Sequence, residues 1–592
     1  MNSKNDDSFA ARDRWVDQAL GNLTLKQKVG QLMVFPFYSH VITPDVVDLI
    51  RNHHVGGLRI CQKFHPGSGD GRNGRDLKPY EQRSDHAPGP LTYDRPPTLQ
   101  RIGCTPAEYA GALNELRDIA LERPGGIPLH TAFDQEGEGA DFLFQQRLFP
   151  FPMGFRNSGD PELAYRVARA IGLQTRALGG NMIHSPVLDV NTHEQNPEIG
   201  PRAYSDNPEE VIRYARETLR GFRETGIIAT AKHFPGRGAS DTDAHFGLPV
   251  IGLDGETLRR IHIEPYRVLI QEGLPAIMAA FTAYPGLGAG ETPGATSKAV
   301  IRELLREELG FDGVVTTDNI QMGGLLEKYE IGEAVLRCLQ AGCDLILCRA
   351  YSPVRYHILQ TVIHAVREGL YTEASLDESV GRILRMRWNM GLSENGGKVA
   401  PQRAAAPFDD PEVRNTAIDA ARRSILLQRD REGYLPLKKE RKVLLVEQAH
   451  HFHRFINNSY SHPGMLWQEM RRHSDNVAVV MVEEKVTDHD REAVRRRLDW
   501  PDVIVATSYY NYRTGASMLP LLKELKATGK PVVLVTNTPY AAFGAPEEFP
   551  ASLVCFCPSG RENLQVAAET LFGKHAPQLP AATADVAHTS DP

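Results

Sequence analysis

Up to about residue 390, short apolar runs alternate with stretches of helical period, the pattern of successive parallel βα units. The strand candidates are GQLMVFPF from Gly30, GGLRIC from Gly56, IPLHTAF from Ile127 and NMIHSPVLDV from Asn181. They continue with GIIATAKHF from Gly226, PAIMAAFTAY from Pro275, GVVTTD from Gly313 and CDLILC from Cys343. Residues 106–121, 208–224 and 297–308 are among the intervening helices. About eight such repeats predict a (β/α)8 barrel. A doubly wound open sheet is the alternative, but no G-x-G-x-x-G turn follows the first strand.

A helix through residues 377–390 ends the repeats. A Gly-, Ala- and Pro-rich stretch follows at 393–410 and reads as a linker. A second α/β unit then begins with a helix near Pro411 and carries the strands RKVLLVE, NVAVVMV, DVIVATS, PVVLVTN and ASLVCFC. The fold expected is therefore an N-terminal (β/α)8 barrel over residues 1–392 and a C-terminal α/β sandwich over 411–575. Residues 576–592 are small and polar, and a disordered tail is expected there. A long polar insertion at 62–103 would rise from the barrel's catalytic face as a lid or a poorly ordered excursion.

If the barrel closes, the charges that end separate strands converge on one mouth: Asp134, Asp189, Lys232 with His233, and Asp318. The densest of these stretches is KHFPGRGASDTDAH, Lys232 to His245. A cationic strand end meets a Gly-containing turn and a loop bearing Asp243 and His245. Residues two apart in an extended loop point the same way, so Asp243 can orient His245 and stabilise its charged form.

Composition narrows the partners. A chain of 592 residues exceeds one ordinary core, and 41% hydrophobic with 24% charged residues is usual for a soluble globular protein. A net charge of −7 gives no electrostatic reason for nucleic acid or anionic membrane as partner. No apolar run is long enough for a transmembrane helix, and the polar N-terminus lacks a secretory core, so a cytoplasmic location is expected. The seven cysteines include no C-x-x-C pair and read as reduced core thiols. His450, His451 and His453 lack a carboxylate or Cys partner and read as a polar loop, so no metal or other cofactor is expected.

These motifs together resemble glycoside hydrolase family 3, in its β-N-acetylglucosaminidase (NagZ-like) branch. That branch carries K-H-F-P-G-H-G, four residues, then D-S-H. FDQEG at 133–137, SPVLDV at 185–190, IGPRAYSDNP at 199–208, GFDGVVTTDNIQM at 310–322 and RILRMRWNMGL agree with it. SILLQRDREGYLPL resembles the strand that opens the family's second domain. The resemblance implies Asp318 as nucleophile, His245 as general acid/base and Asp243 as its orienting partner. It implies Asp134, Arg202, Lys232 and His233 as ligands of the sugar; Asp189 is a further candidate wall.

Several positions depart from the pattern: Arg237 for the second His, Ala244 for Ser, Asn319 after the nucleophile, and Phe281 where the branch often has His. FDQEG also continues without the usual G-R-V, which removes a cation beside Asp134. The expected activity is retaining exo-hydrolysis of terminal β-linked N-acetylglucosamine from cell-wall-derived (muropeptide-type) or chitin-derived saccharides, with a small saccharide, and neither nucleic acid nor membrane, as partner. The enzymatic alternatives are a β-glucosidase or a phosphorylase, since an imidazole repels an incoming phosphate less than a carboxylate would. The non-enzymatic alternative is a silent sugar-binding or sensor protein.

Overall fold

The computed structural model describes residues 2–38, 40–61, 105–138, 147–350, 353–449, 464–509, 517–540 and 548–579. The insertion at 62–103 and His450, His451 and His453 lie outside the described residues. The chain forms two compact units, Met1–Gln146 with Ala164–Val413, and Arg147–Leu163 with Arg414–Pro592.

In the first unit, eight parallel strands run β1 (Met33–Tyr38), β2 (Gly57–Cys61), β3 (His130–Phe133), β4 (Met182–Ile183), β5 (Ile228–Phe234), β6 (Ala276–Ala279), β7 (Val314–Thr317) and β8 (Ile346–Leu347). Each pairs with its sequence neighbour from β1 to β7, and β8 pairs back onto β1. A Thr316–Leu345 bridge and the Thr317 N–H to Leu345 C=O bond (2.9 Å) join β7 to β8 and close the ring. The strands are apolar on both faces because they are buried on both, as a barrel wrapped in helices requires.

The helices start where their caps dictate. Thr105 and Glu108 form a reciprocal capping box at Pro106–Glu122, and the Asn207 side chain accepts from Glu210 N–H at Pro208–Glu224. The run from Asn181, expected to be one strand, is strand only at Met182–Ile183. Pro186 cannot donate to a ladder, and beyond it a single Val187–Lys232 bridge continues the pairing. The Gly30 run likewise yields its first residues to the helix Leu25–Gln31.

Two boundaries differ from the sequence reading. Residues 393–410 belong to the first unit and carry short helices at Leu392–Asn395, Pro401–Arg403 and Ala406–Asp409. Asn114 holds this stretch by bonding both the C=O (2.7 Å) and the N–H (3.1 Å) of Val399. Residues 147–163 pack instead with the second unit. There Phe151 N–H donates to Phe556 C=O (3.0 Å), Asp160 pairs with Arg423, and Phe151 and Met153 join Leu426, Val554 and Phe556 in an apolar cluster.

The second unit is a six-stranded sheet in which β10 (Val443–Gln448), β11 (Val477–Val482), β12 (Val503–Ser508), β13 (Val532–Thr536) and β14 (Ala551–Val554) are parallel. β9 (Leu426–Asp430) adds antiparallel to β14. Two apolar clusters form its core. Gln578, in the stretch expected as a disordered tail, bridges to Leu426.

Candidate active site

Strands β3, β5 and β7 end in charge, and those ends face one mouth. Asp134 follows β3, Lys232 and His233 lie near the end of β5, and Asp318 follows β7. Asp134 receives the Arg59 guanidinium from β2, the His184 Nδ1 from the end of β4 (2.8 Å) and, at 3.8 Å, the Lys232 ammonium. The cation that the altered FDQEG continuation removes is thus present, supplied by β2. Burial opposes ionisation of Asp134, but Arg59, Lys232 and His184 outweigh it and hold the carboxyl well below the usual range.

Glu136 ties the next two predicted residues together. It receives Arg202 in a bidentate pair (Nε 2.8 Å, Nη2 2.9 Å) and Lys232 Nζ at 2.5 Å. Burial is again overcome, by Arg202 and Lys232, bringing the Glu136 carboxyl down to about 2. His233 turns away from this cluster and meets Asp189, Nδ1 to Oδ2 at 2.6 Å. Burial pushes the Asp189 carboxyl up to about 6, and burial followed by Arg237, Arg202 and Lys232 pushes the His233 imidazolium well down. Asp189 and His233 are both buried.

The third cluster joins β7 to the loop after β5. Asp318 is 16% exposed, accepts the Asn319 backbone N–H at 2.7 Å, and faces Arg237 Nη2 at 3.4 Å. His245, 41% exposed, brings its Nδ1 to Asp243 Oδ1 at 2.7 Å, and the same oxygen accepts the His245 N–H at 2.8 Å. With Nδ1 engaged, Nε2 is the ring atom placed for proton exchange. Burial disfavours the imidazolium, but the Asp243 hydrogen bond and the charges of Glu198, Asp243 and Asp318 prevail and raise its pKa. Asp243 is correspondingly lowered, burial being outweighed by His245.

The loop is docked. Gly323 and Gly324 donate to the carbonyls of His245 (3.1 Å) and Ala244 (3.0 Å). A Cβ on Gly324 would stand 2.9 Å from the Gly247 and Phe281 carbonyl oxygens, so the approach requires glycine. Ala244 is fully buried in this contact.

Four participants were missed in sequence: Arg59, Glu136, His184 and Glu198. Glu136 stood inside a quoted motif without a role, while Arg59 and His184 interrupt apolar strand runs. A charge in such a run demands a partner, and that signal was available. Glu198 carried none. Among the described residues Glu198, Asp243 and His245 bring three donor atoms within 4.8 Å of one another. Arg237 already holds the Glu198 Oε1 at 2.6 Å, and Asp243 holds the His245 Nδ1, so these groups balance each other's charge rather than await a cation.

A closed barrel with ionised carboxylates and an imidazole at its mouth has the groups that hydrolyse acetals through paired acid and nucleophile. Known proteins of similar sequence and fold define the class. The profile of the glycosyl hydrolase family 3 N terminal domain matches residues 103–386. A "Beta-N-acetylglucosaminidase/beta-glucosidase" of Cellulomonas fimi is 29% identical over 457 residues, 75% of this chain and 71% of the relative. The "Beta-hexosaminidase LpqI" of Mycobacterium tuberculosis is 34% identical over 293 residues, 47% of this chain and 72% of the relative. The solved family 3 β-N-acetylglucosaminidase from Paenibacillus sp. str. FPU-7 superposes with a TM-score of 0.80 at 28% identity, covering 94% of this chain and 99% of that one. The chain belongs to glycosyl hydrolase family 3 and is a glycoside hydrolase. No helix among the described residues is long and apolar enough to cross a membrane.

Proposed function

We propose that the protein is a retaining exo-β-N-acetylglucosaminidase acting on terminal β-linked N-acetylglucosamine of muropeptide-type or chitin-derived saccharides. The observation that carries this reading is the joining of Asp318 to the Asp243–His245 pair within one hydrogen-bonded and ionic cluster. An Asp318 oxygen attacks the anomeric carbon as the glycosidic C–O bond breaks, and the proton on His245 Nε2 passes to the leaving oxygen. Water then attacks the same carbon, the ester C–O bond breaks, and the water's proton returns to His245. Asp134, Arg202 and Lys232 line the sugar's other side, where Asp134 is an acceptor suited to neighbouring hydroxyls. His233, bonded to Asp189, completes this sugar-binding set.

Aryl β-N-acetylglucosaminide should turn over, and Asp318→Ala should lower its turnover about 10^4-fold or more. Normal turnover in that variant would remove Asp318 from its role. His245→Ala should slow substrates with poor leaving groups far more than activated aryl ones, and equal slowing would argue against proton transfer. The Cellulomonas fimi relative, named for both activities, favours β-glucosidase action as a second reading. Aryl β-glucoside assayed beside the N-acetylglucosaminide, each with and without phosphate, separates hydrolysis of either sugar from release of a sugar 1-phosphate.

A further inference from the structure

Arg237 and Glu198 are two buried charges with no role in the two chemical steps just described. They stand between the groups that do the chemistry. Arg237 Nη2 lies 3.4 Å from Asp318 Oδ2 and 2.6 Å from Glu198 Oε1, and that same Glu198 oxygen lies 3.4 Å from His245 Nδ1. The chain of contact runs from nucleophile to cation to carboxylate to imidazole without a gap.

The link is built. Arg237 N–H donates to Asp189 Oδ1 at 2.7 Å, and Arg237 C=O accepts from Asn196 Nδ2 at 2.9 Å. The Asn196 Oδ1 in turn accepts the N–H groups of Glu198 (3.0 Å) and Ile199 (2.8 Å). One asparagine therefore locks the backbone of Arg237 to the backbone of Glu198. The guanidinium itself keeps capacity: its Nε and Nη1 are buried without a hydrogen-bond partner. A histidine here would titrate and offer fewer donors, whereas arginine stays charged throughout.

We propose that Arg237 and Glu198 form a charge bridge through which esterification of Asp318 lowers the proton affinity of His245 between the two steps of the reaction. This rests on the assignment of Asp318 as nucleophile and His245 as acid/base. His245 must give a proton in the first step and take one in the second, so one fixed proton affinity suits neither. In the free enzyme the charges facing His245 are Asp243 on its own loop, Glu198, Asp318 and, behind them, Arg237; Glu327 lies beside Gly247 farther along the loop. Forming the glycosyl ester removes the Asp318 charge. Arg237 then has Glu198 as its remaining partner on this side, and the screening of Glu198 becomes complete. Both changes weaken the hold on the imidazole's proton. Arg237 and Glu198 are positioning residues in this scheme, since neither touches the reacting atoms.

The test separates the two steps by pH. With an N-acetylglucosaminyl disaccharide, whose leaving group needs the proton, the basic limb of kcat/KM reports His245 in the free enzyme. The acidic limb of deglycosylation, followed after rapid loading of the ester, reports it in the glycosyl enzyme. The wild-type deglycosylation limb should lie about one pH unit or more below the kcat/KM limb. Glu198→Gln keeps the shape and removes the charge, and it should lower the kcat/KM limb by about one unit and narrow the gap. Arg237→Gln should move that limb upward, and the double variant should return it near the wild-type position. Opposite signs that cancel are not produced by a merely structural role. Coincident wild-type limbs, or a kcat/KM limb unmoved in Glu198→Gln, would overturn the bridge. Should Arg237→Gln fail to fold with Glu198 left unpaired, Glu198→Gln alone decides. Full turnover by Asp318→Ala would instead sink the nucleophile assignment beneath it.

Discussion

The two halves of the barrel mouth use the same kinds of side chain with opposite charge balance. On one side Asp134 and Glu136 face three fixed cations, Arg59, Lys232 and Arg202, with His184 added. On the other, Glu198, Asp243 and Asp318 face one fixed cation, Arg237, and the titratable His245. Where cations are in excess, both carboxyls are pulled down and stay ionised. Where carboxylates are in excess, burial of the His245 imidazole is overcome by Asp243, Glu198 and Asp318, its pKa is raised, and a proton can reside there. The local sum of charge, more than residue type, separates a rigid grip from a proton-transfer site.

The sharpest way to break this comparison is to undock the proton-transfer loop while leaving its charges in the chain. Gly324→Val forces a side chain against the Gly247 and Phe281 carbonyls and should displace His245. Turnover of an N-acetylglucosaminyl disaccharide should fall by about 10^2- to 10^4-fold, the range of general acid catalysis, while an activated aryl substrate suffers far less. Equal loss on both would place the damage in the grip half.

The grip half should answer in stability. Lys232→Met leaves Glu136 and Asp134 short of a buried cation, and breaking such a pair costs about 3–5 kcal/mol. Urea unfolding should show that loss alongside a raised KM. Asp243→Asn, which keeps an acceptor oxygen for the His245 N–H, should stay within about 1 kcal/mol of wild type while activity falls. Similar stability losses from the two variants would erase the distinction between the halves.

Strand order was legible because each apolar run is short and buried on both faces, and the site residues because the runs of β3, β5 and β7 close in charge. Asp134, Lys232 and Asp318 could be placed at the mouth on that ground alone. Which charge meets which could not, because pairing depends on distances around the closed ring that no local pattern records. The resemblance implies Lys232 as a ligand of the sugar, and the structure adds Glu136 at 2.5 Å as its ion-pair partner. Arg237 stands out in sequence only as a departure from the family pattern. Its role depends on Glu198, 39 residues earlier in sequence by their numbering and 2.6 Å away in space. The boundary at 147–163 was hidden similarly: its Pro- and Phe-rich stretch suits either unit, and pairing with Phe556 decides.

Acid should separate the halves next. Glu136 titrates at about 2 in the folded protein against an ordinary 4.5. A depressed carboxyl contributes stability above the unfolded value, and that contribution is lost as pH falls from about 4.5 through about 2. Between pH 6 and pH 3 the wild type should lose about 2 kcal/mol more than Glu136→Gln, read by urea unfolding at each pH. Parallel pH dependence in the two proteins would mean that the Arg202 and Lys232 charges do not hold Glu136 down.

The smallest effect tests charge without geometry. Asn319 follows the proposed nucleophile, and its Oδ1 accepts the Arg349 N–H at 3.1 Å, tying the end of β7 to the chain after β8. An aspartate can accept the same bond, so Asn319→Asp should fold within about 0.5 kcal/mol of wild type. It adds one negative charge to the half already rich in them. The His245 imidazolium gains from that charge, and the basic limb of kcat/KM should rise by a few tenths of a pH unit. A limb that stays in place with stability unchanged would show that charge one residue beyond Asp318 does not reach the imidazole. The balance that distinguishes the halves would then be set only by the groups in direct contact: Asp243, Glu198 and Arg237.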